Sequence, residues 1–426
     1  MLQLPPADEL AAWVREERER WHVPGMVVGL ARGNELITAA SGVCELGEDA
    51  PVEAGTLFRI ASITKPFVAT LAMTFVEEGR LALDEELPAA HSQATLRQLL
   101  SHQSGLASEW SSPVDPGDRA DDALERLLAA GEPVSLPIGP GELFSYCNVG
   151  FWFVGAAIAR LAGAPFEDAM RERVLEPLGL RHTTFEPPAG AATARGHNQV
   201  APGADEHRPA DDAYPRARRP SGGLWSSVKD LLRFAAHQLG GPGPLSAASL
   251  EELRRPQVST GDGSYGLGWA TRGVGSRRIV EHGGSTAGYE SLLLLLPEES
   301  FALAALTNSS RGSAAIRELQ DRLGVGPQER PDFAISDEER TLLAGCYRGQ
   351  DLEVSVSVEG TGLRIDVVDH DTMEDRPLVF PPMYVRPVGE RAFECVDGEW
   401  RGEVIDFPRP GLVRVGVLAE RTDGEC

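Results

Sequence analysis

The segment Phe58–Phe67, FRIASITKPF, places Ser62 three residues before Lys65. The chain has only two lysines among its 40 lysine and arginine residues. Side chains three residues apart on a helix share a face and can hydrogen bond. A lysine can accept the proton of a nucleophilic serine only as the neutral amine. Lowering a lysine pKa from about 10.4 to about 7 costs on the order of 4–5 kcal/mol, so the pattern predicts a buried, crowded site.

The second lysine shows that this spacing alone does not identify a nucleophile. Lys229 also follows a serine, Ser226, by three residues. There Ser227 and Asp230 predict a capping box at the start of the helix LLRFAAHQL, with Lys229 exposed in its first turn. The assignment of Ser62 therefore depends on partners elsewhere in the chain.

Two later segments offer such partners. In GELFSYCNVG, Tyr146 is suited to relay a proton to a leaving group, and the Asn148 amide is suited to hold a substrate amide. The alternative is structural, with Asn148 as a helix N-cap and Tyr146 as an aromatic plug. In His282–Ser285, two glycines allow close approach of a substrate, and the N–H of Ser285 can pair with that of Ser62 to hold an oxyanion. The alternative there is a glycine-rich turn between strands.

Composition excludes several classes of function. The net charge of −24 and the pI near 4.8 argue against binding to nucleic acid or to anionic membranes. No run approaches the roughly 20 apolar residues of a membrane span, and no secretory signal pattern opens the chain, so we expect a cytoplasmic protein. The five cysteines are unclustered and predict reduced thiols. The histidines lack metal-ligand spacing, and no metal or cofactor is expected.

The hydrophobic pattern predicts two domains. In residues 1–325 the pattern gives strands, then helices, then strands again. This order predicts an α+β domain with a helical subdomain, in which strands from both ends of the domain form one antiparallel sheet. The segment Ala107–Gly141 is interpreted as a loop that covers a cleft. Residues 326–339 are interpreted as a linker, and residues 340–426 as a small all-β, barrel-like domain.

The order and surroundings of these motifs carry a resemblance. The segments LFRIASITKPFVATLAMTFVEEGRLALDEEL, LRQLLSHQSGL, PGELFSYCNVGFWFVGAAIARLAG, SGGLWSSVKDLLRF, YGLGWA and HGGSTAGYESLLLLLP resemble the serine hydrolases with the class C β-lactamase and DD-peptidase fold. This group includes carboxylesterases and D-aminopeptidases. The resemblance implies that Ser62 is the nucleophile, Lys65 its base and Tyr146 a partner in proton transfer. It makes Asn148, His282, Gly284 and Ser285 the residues that bind the substrate and the oxyanion. The C-terminal domain resembles lipocalin-like domains found on some members.

One departure bears on the substrate. This chain has His282-Gly283-Gly284 where β-lactamases and DD-peptidases usually have Lys-Thr-Gly, and a histidine is mostly neutral at pH 7. We therefore expect a hydrolase of small esters or D-residue peptides, with no nucleic acid or membrane partner. The alternatives are a peptide-releasing or macrocyclising thioesterase-like acyltransferase, a weak β-lactamase, and a non-catalytic binding protein. His102, in LLSHQSGL, is interpreted as a structural residue rather than a base.

Overall fold

A computed structural model describes residues 2–87, 93–108, 115, 117–131, 134–201, 203–211, 213–349, 352–370 and 378–422. The strands described are β1 (Gly25–Arg32), β2 (Glu35–Gly42), β3 (Phe58–Arg59), β4 (His197–Gln199), β5 (His207–Pro209), β6 (Trp225–Ser226), β7 (Val258–Ser259), β8 (Ser264–Tyr265), β9 (Ala270–Val274), β10 (Arg277–Thr286), β11 (Tyr289–Leu296), β12 (Phe301–Thr307), β13 (Gly345–Arg348), β14 (Leu352–Glu359), β15 (Gly362–Asp369), β16 (Leu378–Val379), β17 (Met383–Pro387), β18 (Ala392–Cys395), β19 (Val404–Asp406), β20 (Leu412–Val415) and β21 (Val417–Thr422). The helices described are α1 (Ala7–Arg20), α2 (Thr64–Glu77), α3 (Leu96–Leu100), α4 (Ala123–Ala130), α5 (Asn148–Ala162), α6 (Phe166–Met170), α7 (Arg219–Gly222), α8 (Val228–Gln238), α9 (Ala247–Arg254), α10 (Gly312–Arg322) and α11 (Asp337–Leu343).

The first sheet is antiparallel, with the order β2-β1-β12-β11-β10-β9-β8-β7. Strand β1 from the start of the chain pairs with β12 from much later, in the register Val27↔Leu306. The two ends of this part of the chain therefore meet in one sheet. This confirms the predicted α+β architecture.

Helices cover both faces of this sheet, so neither face of its central strands is exposed to solvent. Leu292 and Leu294 of β11 pack in a cluster with residues of α1 and α10, whereas Leu293 and Leu295 pack with the larger helical cluster. Side chains alternate between the two faces of a strand, so a strand buried on both faces reads as a continuous apolar run. This explains the five consecutive leucines.

The larger helical cluster contains α2 and α5, whose side chains are buried almost all round. Helices that are apolar on every side are typical of a core. Each helix is followed by a glycine in the left-handed region, Gly79 at φ 70° and Gly163 at φ 68°. Glycine adopts that conformation without steric cost and ends the helix. Both helices belong to the helical subdomain that the sequence predicts.

The C-terminal part of the chain forms an eight-stranded barrel. Its strands follow the order β14-β13-β21-β20-β19-β18-β17-β15, and pairing between β14 and β15 closes the barrel, with β16 added to β15. Tyr347, Val354, Ile365, Phe393 and Val413 fill its core. The barrel confirms the prediction of a small all-β, barrel-like C-terminal domain. The helix α11 precedes it and begins with a capping box between Ser336 and Glu339.

The cysteines differ in part from their prediction, and the predicted covering loop is described only in part. Cys44, Cys147 and Cys395 are free thiols, but Cys346 is disulfide-bonded, so the prediction of reduced thiols is wrong for that residue. Part of the predicted covering loop, residues 109–114, 116, 132 and 133, lies outside the described residues.

Over the described ranges, no single helix has both the length and the apolar composition needed to cross a membrane. Among the described helices, α5 and the helical segment Phe166–Leu175 meet both conditions together, but they are bent by 81°.

Candidate active site

Ser62 lies in a single 3-10 turn, Ala61–Ile63, between β3 and α2. Ala61, directly before it, has a φ of 44°, in the left-handed region that a residue with a Cβ atom rarely adopts. Strand β10 lies against this turn, and a Cβ atom on Gly284 would come within 2.2 Å of the Ile60 carbonyl oxygen. A glycine at position 284 is therefore what lets the strand approach the serine.

Lys65 is fully buried, and polar groups surround its amine. Its Nζ lies 3.1 Å from Ser62 Oγ, 2.6 Å from Asn148 Oδ1 and 2.8 Å from the Ser221 carbonyl oxygen. A neutral amine has two N–H donors and one lone pair. The Asn148 and Ser221 oxygens can only accept hydrogen bonds from the amine, whereas the Ser62 hydroxyl can donate to its lone pair. This set of neighbours suits an amine that takes a proton from Ser62.

Asn148 is the first residue of α5 and not its N-cap. The cap is Cys147, whose Sγ accepts a hydrogen bond from the Gly150 N–H at 3.4 Å. The structural alternative for Asn148, an N-cap, is therefore wrong. Because the thiol caps the helix, the Asn148 side chain turns towards Lys65 instead.

Tyr146 lies between Lys65 and His102. The Lys65 amine is 4.7 Å from the centroid of the Tyr146 ring, and the His102 ring lies 4.2 Å away on a tilt of 30°. His102 is completely buried and, like Ala61, has a positive φ, of 57°. Its ring supports Tyr146, and no contact joins it to Ser62, in agreement with the structural interpretation of this histidine.

A chain of hydrogen bonds runs from the Tyr146 loop to strand β10. The Cys147 N–H donates to His102 Nδ1, so His102 carries its proton on Nε2 and donates to the Tyr265 hydroxyl. At the other end, His282 Nδ1 donates to the Gly283 carbonyl oxygen at 2.5 Å, so its Nε2 accepts from Tyr265 at 2.8 Å. The two backbone groups thus fix one tautomer for each histidine.

The groups in this chain are held neutral. Burial is the main cause that lowers the pKa of His102 well below its usual value and that of His282 to about 3. Burial, followed by the proximity of Tyr146, raises the pKa of Tyr265 well above 10. A positive charge on either histidine is therefore absent near pH 7.

The predicted substrate-binding residues of β10 differ in their surroundings. Both ring nitrogens of His282 bond within the protein, so this side chain braces the strand. The Ser285 hydroxyl donates to Glu290 Oε1 at 2.6 Å on the exposed side of the sheet, which leaves its backbone as the part suited to an oxyanion. The sequence did not identify Tyr265 or the Ser221 carbonyl as parts of the site. Both lie far along the chain from Ser62 and Lys65, and only the folded structure brings them together. The sequence signal for Tyr265 was its place in YGLGWA.

A cavity of about 610 Å³ does not include Ser62, Lys65 or Tyr146 in its lining. Arg59, Tyr214 and Trp225 form part of its wall, and its charged rim contains ion pairs such as Arg219–Glu167 at 2.7 Å. Within the described residues, no group of three or more His, Cys, Asp or Glu side chains is arranged to hold a metal ion.

Comparisons of the sequence with known proteins agree on one family. Residues 10–325 match the Beta-lactamase family. Penicillin-binding protein 4 of Amycolatopsis lactamdurans is 30% identical over 362 residues, which covers 78% of this chain and 94% of the relative. Esterase EstB of Burkholderia gladioli is 28% identical over 301 residues, or 59% of this chain and 74% of the relative.

Solved structures extend the likeness to the whole chain. The structure of SurE with D-Leu has a TM-score of 0.74 and 24% identity, and covers 98% of this chain and 99% of its own. The D-amino acid amidase of Ochrobactrum anthropi SV3, solved with L-phenylalanine amide, has a TM-score of 0.62 and 26% identity. It covers 72% of this chain and 92% of its own.

Proposed function

The chain belongs to the β-lactamase family, and we propose that it is a serine hydrolase that forms an acyl-enzyme on Ser62 from small esters or from amides of D-residues. The observation that carries this proposal is the fully buried Lys65 amine, with Ser62 and two acceptor oxygens around it. The complete burial of this amine favours the neutral base that the reaction needs.

The proposed acylation begins with proton transfer from Ser62 Oγ to Lys65 Nζ. The oxygen attacks the carbonyl carbon, and the N–H groups of Ser62 and Ser285 hold the oxyanion. Tyr146 then donates a proton to the leaving group and regains one from Lys65, whose amine lies 4.7 Å from the tyrosine ring. Water takes the acyl group in the second half of the reaction.

The choice of substrate rests on relatives and on charge. The relatives named above include an esterase and a D-amino acid amidase. His282 lies where β-lactamases and DD-peptidases usually carry a lysine, and its pKa of about 3 leaves it neutral. A carboxylate on the substrate would find no fixed positive charge from this residue. We therefore expect esters and amides to be better substrates than β-lactams.

The test follows acylation by intact mass. The protein is incubated with p-nitrophenyl butyrate, a D-residue peptide ester and nitrocefin, each with and without an added amine. We expect an adduct on Ser62 with the esters, turnover of the esters and little hydrolysis of nitrocefin. Capture of the acyl group by the amine would instead favour the transferase alternative.

Labelling with a fluorophosphonate separates enzyme from binding protein. The wild type and the control variant Ser226→Ala should label, and Ser62→Ala should not. An unlabelled wild type that also shows no ester turnover would contradict the proposal.

A further inference from the structure

Tyr146 lies in a short extended segment that precedes α5. One edge of this segment is hydrogen bonded to His102. The Ser145 N–H donates to the His102 carbonyl oxygen at 2.9 Å, and the Cys147 N–H donates to His102 Nδ1 at the same distance. Backbone groups of an extended segment alternate in direction, so the neighbouring residues point the other way.

On that other side lies the C-terminal barrel. The Tyr146 N–H donates to the carbonyl oxygen of Gly416, at the turn between β20 and β21. The Phe144 carbonyl oxygen accepts from Arg414 Nη1 at 3.2 Å, and Ser145 Oγ accepts from the Leu418 N–H, also at 3.2 Å. The barrel therefore supplies the hydrogen bonds along one edge of the segment, including the one made by Tyr146 itself.

Arg414 is built into the barrel as a fixed donor. Its Nε and Nη2 donate to the two oxygens of Asp406 at 2.8 and 2.6 Å, and both residues are less than a tenth exposed. A bidentate pair of this kind holds the planar guanidinium in one orientation. The remaining nitrogen, Nη1, then points at the Phe144 carbonyl oxygen and also lies 3.4 Å from the Ser259 carbonyl oxygen.

These two carbonyl groups belong to two segments of the site. Phe144 precedes Tyr146, and Ser259 lies in β7, which pairs with the strand that carries Tyr265. The Phe144 ring packs 5.5 Å from that of Tyr265. One guanidinium thus ties together the two segments that bear the tyrosines.

We propose that Arg414, oriented by Asp406, is a positioning residue for Tyr146, and that the barrel is a working part of the active site. This inference rests on the proposed function, because it concerns the proton that Tyr146 gives to the leaving group. A displacement of about 1 Å in a catalytic group can cost about a hundredfold in rate. Two apolar residues of the barrel, Leu412 and Leu418, pack with Ile138 and hold the contact closed.

The test compares leaving groups of different basicity. A p-nitrophenolate leaves without a proton, whereas an alkoxide or an amine must be protonated as the bond breaks. Loss of Tyr146 alignment should therefore slow hydrolysis of an ethyl ester or an amide much more than that of the matching p-nitrophenyl ester. A general loss of folded protein would lower both rates by the same factor.

Two variants remove the guanidinium. Arg414→Met leaves a buried carboxylate, so Asp406→Leu/Arg414→Met is made beside it to remove both charges. For each we expect kcat on the ethyl ester to fall about tenfold or more, and the p-nitrophenyl ester to change by less than about threefold. Arg409→Met is the control, since Arg409 pairs with Glu142 on the exposed rim of the same contact.

The variant Tyr146→Phe tests whether Arg414 acts through Tyr146. It should show the same selective loss as the Arg414 variants, only larger, and Arg414→Met should have little further effect in its background. Equal loss on both esters, no loss on either, or full additivity with Tyr146→Phe would overturn the inference. Wild-type acylation of Ser62 is measured in parallel, so failure of the proposed function is seen separately from failure of the positioning role.

Discussion

The chain contains the spacing Ser-x-x-Lys twice, and the two copies have opposite surroundings. Lys65 is fully buried and bonds to Ser62, Asn148 and Ser221, whereas Lys229 is exposed in the first turn of α8. In the second copy Ser227 caps the helix, with its Oγ accepting from the Asp230 N–H at 3.3 Å. The spacing brings two side chains together, but burial and acceptor geometry decide whether the lysine can be a base.

Replacement of the two lysines should give the largest difference. Lys65→Met removes the proposed base, and we expect kcat for ester hydrolysis to fall by roughly three orders of magnitude or more. Lys229→Met changes an exposed side chain and should leave kcat within about twofold. Steady-state kinetics on the same ester checks both. Comparable activity in the two variants would remove the distinction between the copies.

The free energy of unfolding should fall in acid because of His282, which lies near the first copy. The pKa of His282 is about 3 in the folded protein, against an ordinary 6.5 once it is exposed. Between these values the unfolded chain binds a proton that the folded chain does not, so this contribution to stability is complete above pH 6.5 and is lost as the pH falls towards 3. Urea unfolding from pH 7 to pH 4 should show a shallower decline for His282→Asn than for the wild type. Parallel declines would contradict this prediction.

The smallest effect belongs to the second copy. Ser227→Ala removes the cap of α8 and should lower the free energy of unfolding by about 1 kcal/mol, with ester hydrolysis unchanged. Ser227→Asn, which can still cap, should restore most of the loss. Chemical denaturation and the ester assay measure the two properties separately. A fall in kcat at unchanged stability would give this serine a role in the chemistry that the structure does not support.

Much of the fold could be predicted because it is encoded locally. The hydrophobic pattern predicted the order of strands, helices and strands in residues 1–325 and the all-β domain that follows them. Ser62, Lys65, Tyr146 and Asn148 were identified from short motifs in a fixed order. His102 was identified only as a structural residue, and its link to Tyr265 was not foreseen.

The sequence by itself determined the α+β domain, the barrel and the residues proposed to carry the chemistry, because hydrophobic period and motif spacing act over a few residues. Only the tertiary structure decided that Asn148 and Ser221 reach the Lys65 amine, which tautomers His102 and His282 hold, and that Arg414 reaches Phe144. Those features depend on groups far apart in the chain. Desolvation and hydrogen bonding between such groups exist only after the strands, helices and barrel have packed together.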